Sequence, residues 1–473
     1  MQTYLFYDIE TTGLNKCFDQ VLQFAAIRTD LNLQEIERHE FKIKLNPDTV
    51  PSPYALITHH ISVKETPQDL NEFVAIKKIH ALLNEPETIS IGYNTLGFDD
   101  EFLRFSFYRN LLPPYTHQYA NNCSRMDLYP IAAMYYLFKN ELLKWPSLEG
   151  TPTLKLEYIN AENNLVKGKS HDAMVDVEVT LALAKIFFKA QDMWKYVTSY
   201  FDKKIDKERF LQLPESFKTP ETALPEALFV EGIFGANQNF ICPAIFLGEH
   251  FYYKNLSLWL RLDTENLSLT TDETIAENTW VIRKKWGEPG LCLPPKERFM
   301  QALSAKRQTL LAQNKLWLLE HPELLKKIIS YHRNFRYPEQ PNADIQARLY
   351  LNGFWSAEEE NACRRFHQLN AKDKSLLVET LKNNQLRTLA LRILGRNYSD
   401  ELTENQSQQF AQYFQKIKSS QDDIIDFRGE KRLTPAVALQ DILELRKKEL
   451  TQVQHELLNE LEIYLNANFI PMI

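Results

Sequence analysis

Asp8 and Glu10 stand in "LFYDIETTG" (residues 5–13) with one residue between them. On a β-strand, residues i and i+2 point to the same face. Two carboxylates side by side on an otherwise apolar strand repel each other, so the arrangement needs a reason. Two more stretches supply one. "IGYNTLGFDDEF" (91–102) puts Asn94 at the end of a strand and Asp99 at the start of a helix. "SHDAMVDV" (170–177) puts His171 in the approach to a helix and Asp176 on its next turn. His171 can then swing over a site that Asp176 lines. Four acidic groups in one place are unfavourable without cations, and divalent metal ions reverse that sign. Two Mg²⁺ roughly 3.5–4 Å apart can hold an attacking water and a leaving oxygen on opposite sides of a phosphorus atom. Asp8, Glu10, Asp99 and Asp176 would hold the ions. His171 would be the general base, histidine being the side chain that titrates nearest neutral pH.

The elements that must carry these residues can be read in outline. "TYLFYDIE", "LQFAAIRTD", "EIERHEFKIKL" and "TISIGYN" read as strands; "NEFVAIKKIHALLN", "DDEFLRFSFYRNLL" and "HDAMVDVEVTLALAKIFFKAQ" read as helices. This order predicts an α/β domain with a mixed sheet over residues 1–190. A second section, 191–341, holds short strands in "ALFVEGIFGA", "NFICPAIFL", "YKNLSLWLRLD" and "NTWVIRKKW", then a long helical stretch, "AKRQTLLAQNKLWLLEHPELLKKIISYHR", and the linker "PEQPN". The third section, 342–473, reads as almost wholly helical.

Composition narrows the class. With 44% hydrophobic and 25% charged residues, the 473-residue chain reads as an ordinary globular protein of two or three domains. No apolar run reaches membrane-spanning length and no signal-peptide pattern opens the chain, so the expectation is a cytoplasmic protein. Five scattered cysteines with no CxxC pair suggest neither a disulfide framework nor a zinc site. A net charge of −7 does not announce a nucleic-acid partner, which would need local basic patches.

The ordered motifs D-x-E-T-x-G, N-x3-F-D and H-x4-D resemble those of the DEDDh 3′→5′ exonucleases in the DnaQ-like, RNase H-like superfamily. "QFAAIRTD", "FYRN", "SRMDL", "KSHDAMVDV", "VEGIFGA" and "ARLYLNGFW" narrow the resemblance to the bacterial exonuclease I family. The resemblance implies an RNase H-like nuclease domain, a central SH3-like β domain and a C-terminal helical domain, closed into a C-shaped clamp on single-stranded DNA. It also implies processive release of 5′-mononucleotides from the 3′ end in DNA repair and recombination. Mg²⁺ is the implied metal, with Mn²⁺ as a substitute. The acidic C-terminal tail of single-stranded DNA-binding protein is an implied partner, and the enzyme is expected to be a monomer. Lys155 stands where the family generally has Arg, so a phosphate contact there would keep a point charge and lose bidentate geometry.

Other residues carry two readings each. Asp100 adjoins Asp99 but is expected on the solvated side of its helix. Adjacent His59 and His60 diverge on any regular backbone and suit a turn near the substrate end. Cys123 is expected to be buried. Arg104 is placed toward the DNA strand together with Glu10. Tyr115 and Tyr119 can stack on bases or simply pack their loop. Arg283, Lys284, Lys285 and Trp286 in "VIRKKWGE" suit a DNA backbone, an acidic peptide tail, or a guarded strand edge; "RNFRY" (333–337) has the same ambiguity. Two rival functions are an RNA 3′-end exonuclease and a nucleic-acid-binding scaffold with a dead site. The added length counts against the first and the five filled positions against the second.

Overall fold

The computed structural model describes residues 1–67, 69–168, 171–419 and 423–470. Its first section is built on five strands: β1 (Thr3–Thr11), β2 (Val21–Thr29), β3 (Glu35–Lys42), β4 (Thr88–Gly92) and β5 (Ser124–Asp127). They lie in the order β3-β2-β1-β4-β5. β1 pairs antiparallel with β2 and parallel with β4, and β4 pairs parallel with β5. The sheet is therefore mixed, as the β-then-α order predicted.

Strand periodicity decides what each face of β1 meets. Leu5, Tyr7 and Ile9 pack against helices α2 (Glu72–Leu83) and α3 (Asp99–Arg109), which follow α1 (Pro53–His59) in the chain. Tyr4 and Phe6 face the other way and share a core with Ala173, Val177 and Leu181. These last three belong to a helix that runs across β1 and β2. It is α6 (Ala173–Phe188), preceded by α4 (Leu128–Phe138) and α5 (Leu156–Asn163). Asp8 and Glu10 continue the α6 side of the strand.

The middle section opens on α7 (Gln191–Thr198) and α8 (Lys203–Leu211). Trp194, Val197 and Tyr200 stay packed in the nuclease core. Beyond them lie β6 (Glu226–Val230), β7 (Ile241–Glu249), β8 (Leu256–Arg261), β9 (Val281–Lys285) and β10 (Leu291–Leu293). They form one antiparallel sheet in the order β9-β8-β7-β6-β10. The long helical stretch is split into α9 (Ala305–Glu320) and α10 (Pro322–Asn334). Pro322 has no N–H for the preceding ladder, and its fixed φ suits a helix start.

The basic tract of β9 corrects one expectation. Arg283 and Lys285 are exposed, but Lys284 is fully buried, with Nζ 2.7 Å from Asp206 Oδ2. Trp286 is buried too, its ring 5.0 Å from Phe210. Alternation along the strand sends every second residue inward, so this run is not one continuous basic surface.

The third section holds helices α11 (Ala357–Gln368), α12 (Ala371–Thr380), α13 (Asn384–Asn397), α14 (Glu404–Ser419), α15 (Pro435–Leu445) and α16 (Gln452–Phe469). It is joined to the nuclease section at two places. Phe73, Phe105 and Tyr108 pack with Phe366, Leu389 and Leu394; Val50 and Leu56 pack with Ile442, Leu461 and Leu465. Between them Asp48 is buried and accepts from Arg396 Nη2 at 2.7 Å, Arg396 Nε at 2.9 Å and Tyr413 Oη at 2.9 Å. Burial would raise its carboxyl, but Arg396 and Arg432 outweigh it and hold the group below the usual carboxylate range. All five cysteines are buried and free. Among the described residues, no helix is long and apolar enough to cross a membrane.

Candidate active site

The site lies where the parallel strands β1 and β4 end. In open α/β sheets, this carboxyl edge is the usual place for ligands. Asp8 and Glu10 stand opposite Ala25 and Gln23 of β2, just before a bulge between Glu10 and Thr11. Asp99 is the first residue of α3, and its Oδ1 accepts the N–H of Ile9 at 3.2 Å. A helix start favours a negative group. The loop carrying Asp99 is pinned by Asp127, which is buried at the end of β5. Its carboxylate accepts the N–H groups of Asn94 at 2.8 Å, Leu96 at 3.0 Å and Tyr129 at 2.9 Å. Gly92 closes the turn, since a Cβ there would lie 1.9 Å from Thr95 Cγ2.

Asp176 is positioned by the start of α6. Asp172 caps that helix, accepting from Met174 N at 3.0 Å and Val175 N at 3.4 Å. His171 precedes the cap with φ +64°, and its backbone N–H donates to Asp176 Oδ2 at 3.2 Å. The His171 ring turns toward α5, placing Nε2 3.1 Å from Glu157 Oε2. Ligand atoms of Glu10, His171 and Asp176 all lie within 4.8 Å of one another. The fold thus gathers on one edge all five residues singled out for catalysis.

The electrostatics show what the gathering costs. Burial pushes the Asp8 carboxyl well above the usual range, and Asp99, Glu10 and Asp176 push it further. Glu10 is raised to about 9 by burial and by Asp176 and Asp99. Asp99 is raised to about 8, mainly by burial, against the hydrogen bonds it accepts. Asp176 is raised to about 6 by burial, partly offset by His171. Carboxylates held in this way need protons or cations. An all-oxygen acidic donor set suits a hard divalent cation.

The residues expected to meet substrate are placed unevenly. Lys155 is exposed at the start of α5, with Nζ 6.0 Å from the Tyr158 ring centroid and two residues before Glu157. Tyr119 is 69% exposed. Tyr115 is half-buried, edge-on to Phe354 at 5.9 Å. Arg104 is turned inward: its guanidinium pairs with Asp100 and lies 5.8 Å from the Tyr115 ring centroid. The expected solvated position of Asp100 is overturned, for it is buried. Its carboxylate takes Arg104, Arg125 and, at 2.8 Å, His117 Nε2. Burial alone would raise this group, but Arg125, Arg104 and His117 hold it below the usual range. The helix turns Asp100 away from the acidic site, but toward β5 and not toward water.

His59 and His60 do form a turn, with His60 at φ +63° and Ile61 N–H donating to His59 Nδ1 at 2.9 Å. Both line a cavity of about 170 Å³ that His171 and Asp172 also line. Cys123 is buried, as expected. Asp127, Glu157, Asp172 and Gln23 were not singled out beforehand. Gln23 Oε1 accepts the N–H of Ala173 at 3.4 Å, tying β2 to the start of α6.

Comparison with known proteins places the chain in a family. The family described as "Exonuclease" matches residues 5–184, and "Exonuclease I C-terminal domain" matches residues 343–468. The chain belongs to the bacterial exonuclease I family. It is 27% identical over 442 residues to exodeoxyribonuclease I of Escherichia coli K12, covering 88% of this chain and 90% of that one. It is 28% identical over 435 residues to exodeoxyribonuclease I of Buchnera aphidicola subsp. Schizaphis graminum, covering 88% of each. Its fold is similar to that of E. coli exonuclease I in complex with a 5cy-dT13 oligonucleotide, with a TM-score of 0.84 and 23% identity over 99% of this chain and 100% of that one. A structure of SSB/exonuclease I in complex with the inhibitor CFAM is similar too, with a TM-score of 0.80 and 23% identity over 99% of this chain and 100% of that one. This exonuclease I family member is a nuclease, a phosphodiester hydrolase.

Proposed function

We infer that this enzyme is a single-strand-specific 3′→5′ exodeoxyribonuclease that releases 5′-mononucleotides. The observation that carries the reading is the convergence of Asp8, Glu10, Asp99 and Asp176 beside His171 at one sheet edge. These four carboxylates would hold two Mg²⁺ ions, or Mn²⁺ in their place. The ions supply a polarised water and charge neutralisation at phosphorus.

The chain's own residues do the rest. Asp99 is fixed by Ile9 and Asp176 by His171, so the carboxylates hold their geometry before substrate arrives. With His171 Nε2 donating to Glu157, Nδ1 is the nitrogen that takes a proton from the attacking water. Glu157 orients the ring and stabilises its charged form. Lys155 offers a point charge to a backbone phosphate near the scissile bond, and Tyr115 and Tyr119 offer ring faces to bases.

The antiparallel middle sheet, read as SH3-like, and the helical section close the nuclease section into a clamp that retains the strand. A monomer acting in the cytoplasm, docking the acidic tail of single-stranded DNA-binding protein, completes the reading; the similar SSB/exonuclease I structure supports that partner. The test uses matched end-labelled DNA and RNA single strands, with Mg²⁺ or with EDTA. Mg²⁺-dependent shortening of DNA from the 3′ end supports the reading. Equal or faster loss of RNA would replace it with an RNA-end activity.

A further inference from the structure

We propose that the tip of the β7–β8 hairpin and the linker after α10 form a second contact for a single nucleic-acid strand, in which the rings of Phe251, Tyr252 and Tyr337 stack on bases and Arg283, Arg333 and Arg336 take phosphates. The proposal rests on the nuclease reading above and extends it to a surface away from the acidic site.

Phe251, Tyr252 and Tyr337 are 58%, 47% and 59% exposed. One exposed ring is ordinary, but three together with three arginines form a patch that calls for a ligand. Each arginine lies against an aromatic ring. The guanidinium of Arg336 is 3.5 Å from the Tyr252 centroid, that of Arg333 4.1 Å from Phe251, and that of Arg283 5.6 Å from Phe335. Among the described residues, none of the three has a carboxylate partner, whereas Lys284, Lys285 and Lys327 nearby in sequence do.

The patch is held in shape. His250 is buried beneath it, and its Nδ1 accepts the N–H groups of Tyr252 at 3.1 Å and Tyr253 at 3.3 Å. Phe251 N–H donates to the Arg333 carbonyl at 3.1 Å, and Tyr337 N–H donates to Tyr253 Oη at 3.1 Å. Arg333 Nε donates to the Glu249 carbonyl at 3.0 Å. Gly248 makes that approach possible: it has φ +116°, and a Cβ there would stand 2.8 Å from Arg333 Nε.

Its composition favours a strand over an acidic peptide, and β9 anchors it to the nuclease section. Arg283 and Lys285 share the outward face of β9. Lys285 lies 4.0 Å from Glu288, and Glu288 is 3.1 Å from Arg125, whose other bond goes to Asp100 beside Asp99. These ion pairs run inward from β9 through Arg125 to Asp100 and tie the strand to α3, the helix that carries Asp99. An acidic peptide would use the arginines and leave the rings without a role. A strand uses both, because every base has a face to stack and every link a phosphate.

The experiment measures fluorescence anisotropy of labelled oligothymidylates of about 6 and about 20 nucleotides, lengths that bracket common single-strand site sizes. Full-length protein is used, in EDTA. The variants are Tyr252→Ala with Arg336→Glu and, separately, Tyr252→Trp. The double variant is expected to lose about tenfold in affinity for the long strand, with a salt dependence shallower by about one phosphate contact. Tyr252→Trp keeps a stacking face and is expected to retain affinity, which separates ring chemistry from misfolding. A labelled acidic peptide is titrated in parallel. Unchanged long-strand affinity in the double variant overturns the proposal, as does loss of peptide binding with strand binding intact. Failure of the nuclease reading would appear elsewhere, as wild-type protein that does not shorten DNA in Mg²⁺.

Discussion

The backbone N–H of Ile9 donates to the Asp99 carboxylate at 3.2 Å, from the residue that separates Asp8 and Glu10. One hydrogen bond thus couples the strand bearing two of the clustered carboxylates to the helix bearing the third. The side chain of Ile9 meanwhile packs in the core under α2 and α3. The acidic site is in this way a rigid extension of the sheet.

Removing a ligand should separate catalysis from binding. Asp8→Ala and Asp176→Ala are expected to abolish cleavage while strand affinity stays within a few-fold, because binding rests on distributed phosphate and stacking contacts. Turnover above about a tenth of wild type in either variant would mean that the ligand set is wrong. Asp99→Asn keeps the acceptor for Ile9 but removes a buried carboxyl that is repelled once it ionises. In EDTA, above the pH of about 8 at which Asp99 loses its proton, it is expected to melt roughly 2–4 °C or more above wild type, the shift for about 1 kcal/mol in a domain of this size.

The same carboxylates set a pH dependence. Asp99 at about 8 and Glu10 at about 9 are raised above their unfolded values of 3.8 and 4.5. The folded protein therefore holds protons that the unfolded chain has lost. Their contribution to metal-free stability is full at low pH and is lost as pH rises through about 8 to 9. Metal binding must expel those protons. The melting-temperature gap between Mg²⁺ and EDTA should widen steadily from acid to mildly alkaline pH, and calorimetry in buffers of different ionisation enthalpy should register proton release. A gap that does not change with pH would contradict the assignment.

His171→Ala is expected to lower turnover by about 10²–10⁴-fold, the range for one general base. Glu157→Gln keeps a hydrogen-bonding partner without the charge and should cost less, about tenfold. Added imidazole should restore part of the His171→Ala loss and none of the Asp8→Ala loss. If imidazole rescues neither variant and His171→Ala is near normal, the proton goes elsewhere.

Asp100 gives the sharpest contrast with its neighbour. Asp100→Ala leaves Arg104 and Arg125 buried without their anion and is expected to destabilise by about 3–5 kcal/mol, read by urea unfolding. A loss below about 0.5 kcal/mol would place Asp100 back in solvent.

What could be read beforehand follows from range of interaction. Asp8, Glu10 and Asp176 are legible because strand and helix periods are local properties. Alternation also applies to β9, and it separates Arg283 from Lys284; the density of basic residues in that tract masked it. Asp100 depends on Arg125, which β5 delivers from 25 residues away, and no local pattern carries that. Glu157 and His171 meet only because α5 and α6 pack together. α4, Leu128–Phe138, is apolar nearly all round and offers no periodic stripe to detect.

The last prediction concerns strand retention. The helical section is tied to the nuclease section through Asp48, which is buried and shared by Arg396 and Arg432. Breaking a buried pair on one side is destabilising by about 3–5 kcal/mol, because the remaining charge is stranded. Arg396→Ala should therefore loosen the contact between the two sections. The acidic residues of the site are carried by β1, α3 and α6, and Asp48 and Arg396 are not among them, so chemistry on a bound end has no reason to slow. A clamp that opens more often should release its strand sooner. The measurement is a trap assay, in which long labelled single strands are bound in EDTA and Mg²⁺ is added together with excess unlabelled strand. Wild type should run far along the bound strand and Arg396→Ala should stop early. Limited proteolysis run in parallel reports whether the joint has opened. An opened joint with an unaltered run length would mean that closure by the helical section does not retain the strand, and that this section serves another purpose.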